Sequence, residues 1–224
     1  MEMQEDTVIH HLRRDYDKNP LSESELDPDP VAQFRVWFDE ARAACIPEPN
    51  AMTLGTADAS GRVSCRTVLL KAYDERGFVF FTNYGSRKAR QIAENPQGAL
   101  LFPWVSLARQ VEIAGRIEKV STAESLAYFL SRPYLSRLGA WVSDQSSVIS
   151  SRQILLAKFE ELKRQFADGH VPKPEGWGGF RVIPETIEFW QGGSARLHDR
   201  FLYTLNGEAW KIERLAPCWV PCPG

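Results

Sequence analysis

The sequence predicts a mainly β protein, a closed antiparallel barrel with helices packed outside it. Three observations carry this reading. From Ala51 onward, short runs with strand periodicity follow one another across tight turns. Late in the chain, Asn206-Gly207 sits between two such runs, the strongest short-range signal for a hairpin. The chain also lacks a βαβ rhythm, a G-x-G-x-x-G stretch and a G-x-x-x-x-G-K-[ST] stretch, so a nucleotide would not be cradled by a parallel sheet or a P-loop.

Taken in order, residues 1–30 are polar, rich in Asp, Glu, Ser and Pro, and read as a mobile N-terminal arm. Asp29-Pro30 opens a helix, with Val31, Phe34, Trp37, Phe38 and Ala41 recurring on one face. AMTLGTAD, the turn Ala59-Ser60-Gly61 and VSCRTVLLKAY form a first hairpin; Asp74-Glu75-Arg76-Gly77 then turns the chain into FVFFTN. Ser86 caps a short helix, SRKARQIAENP, which Pro96 stops. The strands GALLFPWV and RQVEIAGRIEKV follow. Ser121 and Glu124 stand at capping-box spacing before AESLAYFLSR. A further helix, SRQILLAKFEELKRQFAD, precedes the strand GGFRVIPETIEFWQG and the closing hairpin FLYTLNGEAWKIERL. Residues 31–217 thus read as a single domain, with CWVPCPG at 218–224 as an unpatterned extension.

Composition narrows the function. A chain of 224 residues, 43% hydrophobic and 25% charged, fits one well-cored globular unit. A net charge of −2 leaves no excess of cations for a nucleic-acid backbone, so any anion bound is small and met locally. No apolar run is long enough to span a membrane. Cysteines 45, 65, 218 and 222 and histidines 10, 11, 170 and 198 show no zinc spacing, and no metal is expected. With no disulfide framework and no apolar stretch in MEMQEDTVIHHLRRDY, the expected compartment is the cytoplasm.

Five stretches offer chemistry. In CRTVLLK, 65–71, strand alternation sets Arg66, Val68 and Leu70 on one face and Thr67, Leu69 and Lys71 on the other. The two cations could meet different ligands or simply reach water. Asn83 to Lys88 sets Ser86, Arg87 and Lys88 at a helix start, which suits either a phosphate or a solvated first turn. Tyr128 and Arg132 share one side of a helix end with Ser136 just beyond, a grouping fit for a phosphate or an ordinary surface contact. The polar run 141–147, with Gln145 and Ser146, offers donors and acceptors to a ring or caps to the next helix. Last, EFWQGGSARLHDR at 188–200 ends a packed strand in two glycines and then sets down Arg196, His198, Asp199 and Arg200. In extended chain Arg196, His198 and Arg200 would share a face and Asp199 would point away, a charged cluster beside an aromatic wall.

These stretches also occur together, in this order, in one family. The sequence resembles the pyridoxamine/pyridoxine 5′-phosphate oxidases in EFWQGGSARLHDR, RTVLLK, FFTNYGSRKA, LFPWVSLARQV, YFLSRP, GAWVSDQSS, PEGWGGFRV and the ending ERLAP, covering nearly the whole chain from His11 to Pro217. The resemblance implies an FMN-binding split β-barrel that works as a homodimer, with FMN in the subunit interface. It implies FMN contacts from Arg66, Thr67, Val68, Leu69, Leu70, Lys71, Phe81, Thr82, Arg87 and Lys88. Gln110, Gln145, Ser146, Trp190 and Arg200 would add others, some across the dimer. Lys71, Tyr128, Arg132 and Ser136 would meet the substrate phosphate, and Arg196, Leu197 and His198 would cover its ring. Arg13, Arg14, Asp15 and Tyr16 would form an arm able to close as a lid. Arg196 and His198 are the expected catalytic pair, positioning substrate rather than serving as an obligatory base.

The implied reaction moves a hydride equivalent from C4′ of pyridoxamine or pyridoxine 5′-phosphate to FMN N5. Dioxygen then reoxidises the flavin and leaves as hydrogen peroxide. The alcohol gives pyridoxal 5′-phosphate directly, and the amine gives an imine that water hydrolyses to pyridoxal 5′-phosphate and ammonia. A split-barrel flavin reductase would not call for a second phosphate set. A non-catalytic carrier of FMN or vitamin B6 phosphate would not need Arg196 and His198. The residues past Ala216-Pro217 run beyond the family's usual end, which leaves the role of that tail open.

Overall fold

Alternating burial along the strands, as in β1, where Met52, Leu54 and Thr56 turn inward, is what one half-buried antiparallel sheet requires. A computed structural model of the chain describes residues 16, 20–142 and 145–217. Its strands are β1 Ala51–Ala57, β2 Val63–Leu69, β3 Ala72–Asp74, β4 Gly77–Asn83, β5 Gln97–Trp104, β6 Arg109–Lys119, β7 Trp177–Gln191, β8 Asp199–Asn206 and β9 Ala209–Arg214. They form a single sheet ordered β2-β1-β5-β6-β7-β4-β3, with β8 also pairing β7 and β9 pairing β8. The helices are α1 Pro30–Ala43, α2 Arg87–Glu94, α3 Thr122–Ser131, α4 Tyr134–Gly139 and α5 Arg152–Gln165.

The expected continuous strand VSCRTVLLKAY is broken, and the break shapes the molecule. The Leu70 N–H donates to the Asn50 carbonyl at 2.8 Å, continuing the β1 pairing, whereas the Lys71 N–H donates to Val79 on β4 at 2.9 Å. Two consecutive residues therefore bond to opposite ends of the sheet, which curls into a barrel split between β2 and β4. Backbone groups alternate sides along an antiparallel strand. With Leu70 bonded toward β1, the N–H and C=O of Thr67 and Leu69 turn toward the split.

Helix α1 starts where Asp29 accepts the Val31 N–H and Pro30 fills the first turn. Its apolar face enters the barrel core. Phe34 is fully buried, with ring contacts to Phe78 at 4.9 Å and Phe102 at 5.0 Å. A second, smaller core gathers Phe129, Leu138, Leu162, Val171 and Trp177 under α3, α4 and α5. Between Ala114 and Gly115 the β6–β7 register shifts, opposite Pro184, which has no N–H to give a ladder.

Two further differences from the sequence reading concern a helix and the N-terminal arm. Helix α4, directly after Pro133, was not signalled by the pattern. The arm expected over 1–30 is packed chain from residue 20 onward. Leu21 is buried and gives its N–H to Asp199 at 2.8 Å, and the Tyr203 hydroxyl donates to the Asp27 carbonyl at 2.8 Å. Arg13, Arg14 and Asp15 lie outside the described residues, as does the extension 218–224 with Cys218 and Cys222. Among the described residues no helix is long and apolar enough to cross a membrane.

Phe34→Ala should lower the unfolding free energy by about 3–5 kcal/mol, since it empties the centre of an aromatic core. A urea titration checks this: the midpoint should fall while the slope stays unchanged.

Candidate active site

The split between β2 and β4 opens into a cavity of about 560 Å³. Thr67, Val68 and Leu69 of β2, Lys71, and Phe81, Thr82 and Asn83 of β4 line one part of it; Lys88, Tyr128, Arg132, Ser136, Gln145 and Trp177 line the rest. Leu70, expected with these, is instead buried in the core.

Helix α2 brings the first cations. Ser86 caps it by accepting from Ala89, and Lys88, in the first turn, donates Nζ to Thr82 Oγ1 at 3.2 Å and Gln145 Oε1 at 2.8 Å. Arg66 donates to the Leu54 carbonyl at 2.9 Å and Thr56 Oγ1 at 2.7 Å. Burial, then nearby Arg66, pushes the Lys88 ammonium below its ordinary pKa. Burial likewise lowers Arg66, with Arg87 adding to the effect. Arg87 is exposed and lines an adjoining groove; its backbone N–H donates to Ser146 Oγ at 3.3 Å. No carboxylate pairs with Arg66, Arg87 or Lys88 among the described residues. Three like charges left together in this way fit one phosphate, the group by which FMN would be gripped.

A second cationic set faces the same cavity. The Tyr128 ring stacks on Phe81 at 4.0 Å, and Phe81 stacks on Trp177 at 5.3 Å. The Arg132 guanidinium lies 4.9 Å over Trp177, and its buried Nη1 has no hydrogen-bond partner. Burial raises the Tyr128 pKa and lowers that of Arg132. A buried, unpartnered guanidinium N–H is costly unless an acceptor arrives. Lys71 and Ser136 line the same cavity and could complete a second anion set.

The remaining candidates gather at the other end of β7. Gln110 pairs across the sheet with Trp190, and Trp190 with Arg200. Arg200 is held by Glu188 through two bonds, at 2.7 and 3.0 Å, and donates to the Ala216 carbonyl. The Trp190 and His198 rings lie 4.7 Å apart, with Tyr16 edge-on to both. The two glycines make this packing possible. A Cβ on Gly192 would fall 2.7 Å from the Tyr16 ring, and one on Gly193 would fall 2.1 Å from the Leu197 carbonyl. Gly193 gives its N–H to His198 Nδ1 at 3.1 Å, so a neutral imidazole presents Nε2–H outward.

The loop corrects the expected extended alternation of Arg196, His198 and Arg200. Ser194–Arg196 is a 3-10 turn in which Ala195 and Arg196 adopt left-handed backbone, φ 51° and 63°. Each such residue costs about 1–2 kcal/mol, and the turn leaves Arg196 and Leu197 exposed with His198 half-buried. Asp199 does not line a site; it accepts from Leu21 and Arg214.

Trp177 begins β7 and Trp190 lies near its end, so at about 3.3 Å per residue the two halves are separated by on the order of 40 Å of strand. Neither Arg196 nor His198 lines the cavity of its own chain. The sequence reading missed Trp177, the platform for Arg132, and Glu188, the partner of Arg200. Both lay in view: Trp177 in PEGWGGFRV, and Glu188 two residues before Trp190, hence on its face.

Known proteins match this arrangement along its length. A family described as pyridoxamine 5′-phosphate oxidase matches residues 38–166, and a pyridoxine 5′-phosphate oxidase C-terminal dimerisation region matches 177–217. The chain is 57% identical over 213 residues to a pyridoxine/pyridoxamine 5′-phosphate oxidase of Nostoc sp., covering 95% of this chain and 100% of that protein. With its counterpart from Crocosphaera subtropica it shares 59% identity over 209 residues, 92% of this chain and 98% of that protein. Among solved structures, PhzG from Burkholderia lata, in complex with tetrahydrophenazine-1-carboxylic acid, superposes with a TM-score of 0.82 at 31% identity, covering 87% and 95% of the two chains. A pyridoxamine 5′-phosphate oxidase-related, FMN-binding protein from Nostoc punctiforme, at 16% identity and a TM-score of 0.67, covers 86% of this chain and 100% of its own and shares the fold. By its sequence and its split barrel, this chain belongs to the pyridoxamine 5′-phosphate oxidase family.

Proposed function

We propose that this protein is an FMN-dependent oxidase that converts pyridoxamine 5′-phosphate and pyridoxine 5′-phosphate to pyridoxal 5′-phosphate, releasing ammonia from the amine. One observation carries the reading beyond family membership. Two groups of cations without carboxylate partners meet at this cavity: Lys88 lines it with Arg66 and, on the adjoining groove, Arg87 close behind, while Lys71 and Arg132 line it separately, as a cofactor phosphate and a substrate phosphate would each require. A flavin reductase or a simple FMN carrier needs only the first.

When bound, FMN supplies acceptance of a hydride equivalent from the substrate's C4′ and reoxidation by dioxygen with release of hydrogen peroxide. Arg66, Arg87 and Lys88 would hold its phosphate. Thr67, Val68 and Leu69 of β2, Lys71, Phe81, Thr82, Gln145 and Ser146 would line its seat, with Leu70 behind them in the core. Lys71, Tyr128, Arg132 and Ser136 would bind the substrate phosphate, with Phe81 and Trp177 stacked beneath Tyr128 and Arg132 to fix their geometry. Arg196 and His198 would cover the pyridine ring, the neutral imidazole donating from Nε2, with Leu197 and Tyr16 screening the ring from water. Arg13, Arg14 and Asp15 would extend that cover. Gln110, Trp190 and Arg200 would reach FMN from the partner subunit.

The homodimer follows from the separation of the halves along β7. Each chain carries a cleft at one end and the Trp190–Arg196–His198 group at the other, within the stretch matched by the dimerisation region. A twofold pairing sets the loop of one copy against the cleft of the next. Free cysteines Cys45 and Cys65 suit the reducing cytoplasm, where we place the enzyme.

Adding pyridoxamine 5′-phosphate anaerobically to FMN-loaded protein should bleach the oxidised flavin band, with the colour returning on admission of air and pyridoxal 5′-phosphate formed. An unbleached flavin rejects the activity. Arg196→Ala should retain FMN yet lose turnover by about 100-fold or more. Lys88→Ala should instead weaken FMN binding and recover much of its rate in excess FMN. Equal losses would contradict that division. Burial and Arg196 both lower the His198 pKa from 6.5, so the ring is neutral at pH 7 and takes its proton only as pH falls below that value. In ¹⁵N spectra Nδ1 should be the bare nitrogen at pH 7, and Arg196→Gln should raise the titration midpoint.

A further inference from the structure

Arg181 touches neither cavity and no substrate-facing group, yet it is 6% exposed and its charge is spent on two carboxylates from different elements. Its Nη1 donates to Asp74 Oδ1 at 2.6 Å, and its Nη2 to Glu124 Oε1 at 2.9 Å. Asp74 closes β3, which begins immediately after Lys71. Glu124 sits in the first turn of α3, where it also completes the capping box with Ser121. Glu124 and Tyr128 are four apart on α3 and so share a side, and Arg132, four further on, is the residue that caps its C-terminal end. One buried guanidinium on β7, where the strand is paired on both sides by β4 and β6, thus ties together the two segments that deliver Lys71 and the Tyr128–Arg132 pair. The exposed Arg76 lies outside it, at 2.6 Å from Asp74 and 3.8 Å from Glu124. Beside it, the Gly179 N–H donates to Ser125 Oγ at 3.3 Å, a second fixing point for the same helix on the same strand.

We infer that Arg181 is a positioning residue for the substrate phosphate: its bridge between Asp74 and Glu124 sets the span between Lys71 and Arg132. The inference rests on the substrate reading proposed above and assigns it a determinant outside the cavity. The bridge is planar and two-ended, which a guanidinium satisfies and an ammonium does not. The FMN-phosphate cations Arg66, Arg87 and Lys88 stand on β2 and α2, neither of which Arg181 contacts, so the effect should be confined to the substrate end. Removing Arg181 need not unfold the chain. Asp74 keeps Arg76 at 2.6 Å, and Glu124 keeps the Ser121 N–H and hydroxyl, so neither carboxylate is stranded.

The test is calorimetric binding of 4-deoxypyridoxine 5′-phosphate, which lacks the oxidisable group, and of unphosphorylated 4-deoxypyridoxine to FMN-loaded protein. Arg181→Met should weaken the phosphate ester about 5- to 20-fold while changing the unphosphorylated ligand and the FMN affinity less than about twofold. Arg181→Lys should fall between wild type and Arg181→Met. Asp74→Asn, at a partly open position, gives the same selective loss at about two- to threefold and serves where Arg181→Met is poorly folded. An unchanged ester affinity, or an equal weakening of both ligands, overturns the inference. Because binding is read apart from turnover, a wild-type chain that binds the ester selectively but does not oxidise its substrate fails the activity reading alone.

Discussion

Leu70 gives its N–H toward β1 and Lys71 gives its N–H to β4, and the rest of the molecule is arranged around that divergence. A strand that kept pairing on one side would leave a flat sheet with two open edges. One that paired on both sides would close the barrel and seal the space where ligands are met. Parting at a single peptide does neither. It closes the core on one side of the break and leaves β2 with unspent backbone groups at Thr67 and Leu69. Lys71 stands at the divergence, held by backbone on both sides, which is why a cation there can be both exposed and well placed. Helix α3 comes to the same place from β7, through contacts at Gly179 and Arg181.

Electrostatics sets the opening apart from the rest of the surface. Among the described residues, many cations elsewhere are matched: Arg62 with Asp58, Arg109 with Glu40, Arg200 with Glu188, Arg214 with Asp199. Around the cavity they are not. Leaving Arg66, Lys88 and Arg132 partly buried without carboxylates sacrifices stability, and such an expense is found where a ligand supplies the missing charge. The net charge of −2 is consistent with this local solution, since the molecule needs no overall positive field to capture phosphate esters.

Much of the architecture was legible in the sequence because it rests on local rules. The caps at Asp29, Ser86 and Ser121, the turn at Asn206-Gly207 and the alternation of β1 all depend on neighbours within a few residues. The split at Leu70–Lys71 was not legible, since it depends on where Asn50 and Val79 arrive from distant chain. The same holds for the left-handed turn at Ala195–Arg196, where neither residue advertises such a backbone and only the closure onto Gly193 demands it. For the site, each motif taken alone left a surface alternative open. What separates Arg132 from an ordinary surface cation is its burial over Trp177, a residue forty-five positions away.

The length of β7 has a combinatorial consequence. Because it carries cavity residues at one end and the loop proposed to cover the ring at the other, a chain crippled at Arg132 would still own a sound loop, and one crippled at Arg196 a sound cleft. Mixed at random, two such silent subunits would form hybrid dimers in half of all pairings, each with one site assembled entirely from undamaged parts. The mixture would regain about a quarter of the full complement of sites, although neither parent has any. On the proposed arrangement, the unit on which damage acts would be the pair rather than the polypeptide.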